Sequence, residues 1–123
     1  MDLNLINVIT LAYIGDAVYE VYVREYLIKK CIAKVEELQK ESVKYVSAKS
    51  QCKILSYLMD NNLLTEIELD VVRRGRNYKR TSHPKNTDII TYKMSTGFEA
   101  LIGYLYLKDI DRLKEVLSYI EVK

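Results

Sequence analysis

The sequence predicts an all-α domain of six to seven helices. Three observations point there. One Pro and four Gly in 123 residues leave little punctuation for turns. The many Ile and Val residues recur at helical rather than alternating spacing. Residues that cap helices stand where the apolar patterns begin.

The first helix spans Asn7 to Lys30, with Leu11, Ile14, Val18, Val21, Tyr22, Tyr26 and Leu27 distributed over most faces. A helix that is apolar nearly all round is central, or shared between a core and a partner. Val35 to Val46 is shorter and amphipathic. Ser47 caps the next helix, Ala48 to Met59, which stops at Asn61-Asn62. Thr65 and Glu68 have the spacing of a capping box and open a helix running into a basic stretch. From Gly75 through Asn77 and Ser82 to Pro84 the chain reads as a loop. Two helices follow, from about Thr87 to Leu107 and from about Asp109, itself a cap, to Ile120. No repeat, low-complexity tract or linker divides the chain, so residues 1–123 are expected to form one domain.

The composition, 49% hydrophobic and 29% charged, is that of a globular protein. No uncharged apolar stretch is long enough to span a membrane, and no basic-then-apolar leader opens the sequence. Cys31 and Cys52 have neither CxxC spacing nor a nearby His, and are expected to be buried reduced thiols. A cytoplasmic location follows. The net charge of +2 carries no argument by itself, but its distribution does. Between Asp70 and Asp88 there is no acid, while Arg73, Arg74, Arg76, Lys79, Arg80, His83 and Lys85 crowd together. Such local density suits a phosphate backbone, or equally a solvated loop.

Two carboxylates break apolar runs. Asp16 interrupts Leu11 to Tyr19, and Glu99 interrupts Phe98 to Leu105. A charge held against a core surface is costly unless compensated. Two acids from separate helices converging on Mg²⁺ would supply the compensation, because Mg²⁺ takes one or two carboxylates and keeps several waters. Gly15 and Gly103 permit close approach of another backbone, and Ser95 and Thr96 beside Glu99 leave room for water. Glu20 shares a face with Asp16, but Arg24 at its own i+4 position explains it as a surface ion pair. The chemistry such a pair supports is phosphodiester hydrolysis. His83 is the sole histidine, so a His-activated nucleophile is disfavoured. Among the eleven Tyr, those at helical spacing such as Tyr19, Tyr22 and Tyr26 read as core or interface.

The run Leu11-Ala12-Tyr13-Ile14-Gly15-Asp16-Ala17-Val18 resembles the signature helix of the ribonuclease III family, and Ser95 to Leu107 resembles its second catalytic helix. Arg73-Arg74-Gly75-Arg76-Asn77, Pro84 to Asp88 and Ser47-Ala48-Lys49-Ser50 are similar to the compact bacterial branch, mini-ribonuclease III, which lacks a double-stranded-RNA-binding domain. The resemblance implies a Mg²⁺-dependent endonuclease that cuts double-stranded RNA and matures the ends of precursor 23S ribosomal RNA, with room for a ribosomal-protein helper. By position, Asp16 and Glu99 match the family's two central catalytic, metal-binding carboxylates. Two further acids of the larger family fall where this chain has Ala12 and Thr96. Water, Thr96 or an RNA phosphate is expected to complete the coordination. The thinner cage also fits a non-catalytic, ribosome-associated RNA-binding scaffold, and a helical dimerisation protein is the third reading.

Cutting both strands of a duplex calls for two sites related by a two-fold axis, hence a homodimer. Tyr13 stands where the family places an aromatic at the dimer contact, with core packing as the alternative. Lys49 and Lys53, on one helix face, and Arg73, Arg74, Arg76, Lys79, Arg80 and Lys85 are the candidate RNA phosphate contacts.

Overall fold

In the computed structural model, which describes residues 2–30, 34–79 and 88–121, every described element is helical. A 3-10 turn (Leu3–Leu5) precedes α1 (Val8–Lys29), α2 (Val35–Val46), α3 (Ala48–Asp60), α4 (Glu66–Arg76), α5 (Ile89–Lys108) and α6 (Ile110–Glu121). The all-α class with six helices is as the periodicity predicts.

The caps explain the boundaries. Asn7 Oδ1 accepts from the Ile9 N–H at 2.9 Å and opens α1. Ser47, with ψ 153°, breaks α2 from α3, and its Oγ accepts from the Ser50 N–H at 3.2 Å. Asn62 takes a left-handed conformation, φ 55°, and the Leu63 N–H reaches back to the Leu58 carbonyl at 3.0 Å, closing α3. Thr65 and Glu68 form the full reciprocal capping box. Asp88 and Asp109 accept from the N–H groups of Thr91 and Arg112, at 2.9 and 3.1 Å.

α5 is the central element, with α1, α3, α4 and α6 packed around it. Its run Ser95 to Phe98, Ala100 to Gly103 and Leu105 is buried. Phe98 meets Tyr19 edge-on, with ring centroids 4.9 Å apart. Leu101, Ile102 and Leu105 share a core with Leu55 and Leu58 of α3 and with Val116 and Leu117 of α6. Tyr19 and Tyr22 are core residues that also donate from their hydroxyls, to the carbonyls of Tyr45 and Leu117, both at 3.2 Å. Burial pushes the Tyr19 hydroxyl pKa upward, so the ring stays neutral.

Two glycine crossings set the spacing of the layers. A Cβ on Gly15 would fall on the Glu99 carbonyl oxygen, and one on Gly103 would fall on that of Leu11. A Cβ on Gly75 would meet Gly97 Cα at 2.9 Å, and one on Gly97 would meet the Val72 carbonyl oxygen at 2.7 Å. This second crossing corrects the expectation that a loop begins at Gly75. The residue lies inside the last turn of α4, because its missing side chain serves contact with α5 rather than a turn.

A buried ion pair ties the far side. Arg112 of α6 donates to both oxygens of Glu68, at 2.7 and 2.8 Å, and to the Leu63 carbonyl at 2.8 Å. Burial raises the Glu68 pKa, but the hydrogen bonds from Arg112 and Thr65 outweigh it and the net shift is downward. None of the described helices is long and apolar enough to cross a membrane. Cys52 is a free thiol but only part-buried, because its position lies beside rather than on the inward face of α3. Cys31 lies outside the described residues.

Candidate active site

The crossing of α1 and α5 brings the two interrupting carboxylates to one place. Asp16 and Glu99 line the same open hollow of about 540 Å³, together with Ile9, Thr10, Ala12, Tyr13 and Tyr92. Gly15 is the cause of this juxtaposition: it lets α1 lie directly on the Glu99 backbone, so the next residue, Asp16, projects beside the Glu99 side chain.

Three expectations about the hollow need correction. Asp16 is exposed, not held against the core, so its position carries no burial penalty within one chain. The apolar residues around it in sequence face other directions of the helix. Thr96 does not enter the hollow. It is buried, and its hydroxyl donates to the Tyr92 carbonyl at 3.1 Å, as the Ser95 hydroxyl does at 2.7 Å. Both hydroxyls are directed back at the preceding turn of α5, and neither residue lines the hollow. Tyr13 is 83% exposed, which removes the core-packing alternative.

Glu20 is paired with Arg24 at 3.4 Å, as its spacing suggests. Among the described residues no cluster of three or more His, Cys, Asp or Glu side chains is placed to hold a metal ion. The donor set is therefore two carboxylates on an open, water-accessible hollow. That set fits Mg²⁺, which fills the rest of its octahedron with water or with substrate oxygen. It does not fit a closed zinc site, which needs four protein ligands.

Periodicity alone does not single out one residue that touches the site. Gln51 of α3 is 2% exposed. Its amide nitrogen donates to the Val46 carbonyl at 3.1 Å and faces Glu99 Oε2 at 3.4 Å. The sequence carries a signal for it: Gln51, Ile54, Leu55 and Leu58 follow i, i+3, i+4, i+7, so a polar amide occupies an otherwise apolar stripe. Gln51 Oε1 is buried and has no hydrogen-bond partner among the described residues.

The structure does not bring the candidate RNA contacts to this centre: none of the described ones lines the hollow. Lys49 and Lys53 are exposed on the face of α3 opposite Gln51. Arg73, Arg74 and Arg76 form the last turn of α4, where the helix dipole favours cations. Arg73 pairs with Asp70 at 3.4 Å, and Arg76 donates to Asn77 Oδ1 at 3.3 Å. The Gly75–Gly97 contact anchors this turn on α5 two residues before Glu99. Lys79 is exposed, and none of the described basic residues lines the hollow itself. Arg80, His83 and Lys85 lie outside the described residues.

The two acids and the hollow they share lie within residues 9–109, which match the family model described as Ribonuclease III domain. The chain belongs to this family, in its mini-ribonuclease III branch, and is an endoribonuclease by that membership. It is 45% identical to Mini-ribonuclease 3 of Streptococcus pneumoniae, over 97% of this chain and 94% of that one. Identity to Mini-ribonuclease 3 of Staphylococcus aureus is 48%, over 96% and 89%, and to that of Symbiobacterium thermophilum 52%, over 89% and 84%. Among solved structures, protein FN1578 of Fusobacterium nucleatum superposes with a TM-score of 0.85 at 27% identity, covering 98% of this chain and 97% of that one.

Proposed function

We propose that the chain is a Mg²⁺-dependent, homodimeric endonuclease that cuts both strands of double-stranded RNA, in maturing the ends of precursor 23S ribosomal RNA. The observation that carries this reading is the shared hollow of Asp16 and Glu99 in a chain of the ribonuclease III family.

Asp16 and Glu99 would hold the ion; when bound, Mg²⁺ supplies a water nucleophile and neutralises charge that grows on the phosphate oxygens. The chain's own groups do the rest. Ala12 and Ile9 give the hollow an apolar wall. The carboxylate of Asp16, on the exposed side of α1, is reachable by a phosphodiester without rearrangement of the core. Lys49, Lys53 and the basic turn of α4 would hold the polyanion by charge and shape, the readout that A-form RNA permits.

The second copy is supported by the surface beside the site. Thr10, Tyr13 and Asp16 also border a neighbouring hollow whose other walls are Ile6, Leu11, Ile14, Ala17 and Leu107. An exposed tyrosine next to an apolar hollow is a knob and hole that a two-fold-related copy can reciprocate. On this reading Tyr13 sits at the contact, and the two catalytic hollows stand in a fixed relation.

One observation favours the scaffold reading. Ala12 carries no ligating atom and Thr96 is buried outside the lining of the hollow, so neither position adds a ligand. Incubating the chain with a duplex RNA, with Mg²⁺ or with chelator, beside Asp16→Asn separates the two. Metal-dependent cleavage abolished in the variant supports the nuclease. Salt-sensitive binding with no cleavage by the wild-type chain supports the scaffold.

A further inference from the structure

The break between α2 and α3 creates a fixed point next to the site. Val46 ends α2, and the Ser50 N–H that would otherwise bond its carbonyl is taken by the Ser47 hydroxyl. The Gln51 amide takes up that carbonyl instead, at 3.1 Å, and its second neighbour is Glu99 Oε2 at 3.4 Å. Both neighbours are acceptors. The amide nitrogen must therefore face them, since an amide oxygen there would meet two oxygens. The opposite end of the group, Oε1, is buried without a hydrogen-bond partner among the described residues. A side chain kept for volume alone on the stripe with Ile54, Leu55 and Leu58 would be Leu or Met, which leaves no such oxygen.

We infer that Gln51 is a positioning residue for Glu99: its amide N–H groups, anchored on the Val46 carbonyl, hold Glu99 Oε2 so that the carboxylate faces the hollow shared with Asp16. The inference deepens the proposed nuclease reading and rests on it. Gln51 acts through Glu99 and touches no substrate. Donors behind a ligating carboxylate fix its rotamer, and removing such partners costs about 10–100-fold in metal affinity or activity.

The test uses the full chain and Gln51→Met, which keeps volume and removes the donor, with Gln51→Leu as a second variant. Mn²⁺ alone is titrated and its free fraction read from the electron paramagnetic resonance signal. Cleavage of a duplex RNA is measured against Mg²⁺ concentration, and thermal melting is recorded in chelator. The expected result is Mn²⁺ affinity weakened about tenfold or more, with the Mg²⁺ concentration for half-maximal cleavage raised in proportion. Cleavage recovers as Mg²⁺ is raised to saturation, and both variants remain folded in chelator. Wild-type Mn²⁺ affinity and Mg²⁺ requirement in both variants overturn the inference. Failure of both variants to fold overturns it as well, because the residue is then structural. Asp16→Asn runs beside them. A wild-type chain that takes up no Mn²⁺ and cuts no duplex fails the nuclease reading itself, and the positioning role with it. A wild-type chain that does both, matched by its Gln51 variants, fails the positioning role alone.

Discussion

Gly15 of α1 lies against the backbone of Glu99 on α5, with the Glu99 carbonyl oxygen in the space that a Cβ on Gly15 would occupy. The contact is backbone to backbone, so no rotamer change can relieve an added atom. Gly15→Ala is expected to push α1 off α5, destabilising the chain by about 3 kcal/mol or more. For a domain of this size that lowers the melting temperature on the order of 10 °C. Circular dichroism melting checks it, with the exposed Glu25→Gln on the same helix as a control that leaves melting unchanged.

Asp16 offers the opposite case. It is exposed, so Asp16→Asn is expected to melt within about 0.5 kcal/mol of wild type. Cleavage of duplex RNA should nonetheless fall on the order of 10²–10³-fold, the scale of losing one preorganised electrostatic group. Single-turnover cleavage and melting on the same preparation decide it. A matching loss of stability would mean that the carboxylate is a fold residue.

The pair between Glu68 and Arg112 predicts an acid limb in the stability curve. The Glu68 pKa is lowered in the folded chain relative to its ordinary value of 4.5. The stabilisation is therefore fully present above about pH 4.5 and is lost as pH falls through the lower folded value. Glu68→Gln should flatten that limb. Arg112→Ala leaves the carboxylate buried and without its cation, and is expected to cost about 3–5 kcal/mol near neutral pH. Chemical denaturation from pH 3 to pH 7 reads both.

Tyr13 is expected to hold two copies together. Tyr13→Arg places a charge on an exposed apolar patch and should convert the dimer to a monomer in analytical ultracentrifugation without lowering helical content. Double-strand cleavage should fall with it. A wild-type chain that sediments as a monomer at micromolar concentration would refute the two-site arrangement.

Lys49→Ala with Lys53→Ala is expected to weaken duplex binding uniformly across sequences. The slope of log affinity against log salt should shrink by about 0.9 for each phosphate that the variant no longer neutralises. Binding titrations at several salt concentrations measure this. An unchanged slope would remove α3 from the RNA interface.

Much of this was legible in the sequence, for local reasons. Ser47, Thr65 with Glu68, and Asp109 are short-range capping signals, and each marks a helix start within a residue or two. Asp16 and Glu99 stand out because each interrupts an apolar run, and the hollow they share follows from the glycines beside them. What was not legible depends on partners distant in sequence. Gly75 reads as a turn until Gly97 is known to lie on it. Thr96 reads as a ligand until it is found buried and outside the lining of the hollow. Asp16 sits in an apolar run, yet faces outward, because α1 buries Leu11, Ala12, Gly15 and Tyr19 and turns position 16 away. The Glu68–Arg112 pair and the Gln51–Glu99 contact join residues 44 and 48 positions apart, which no local pattern connects.

The reciprocal glycine seats on α1 and α5 have a consequence for anyone wishing to retarget this scaffold. The two acid-bearing rods are keyed into each other and behave as a single rigid jaw, so their spacing is not an adjustable parameter. Exposed Lys49, Lys53 and Arg73 stand outside the jaw, so their side chains can be altered without disturbing it.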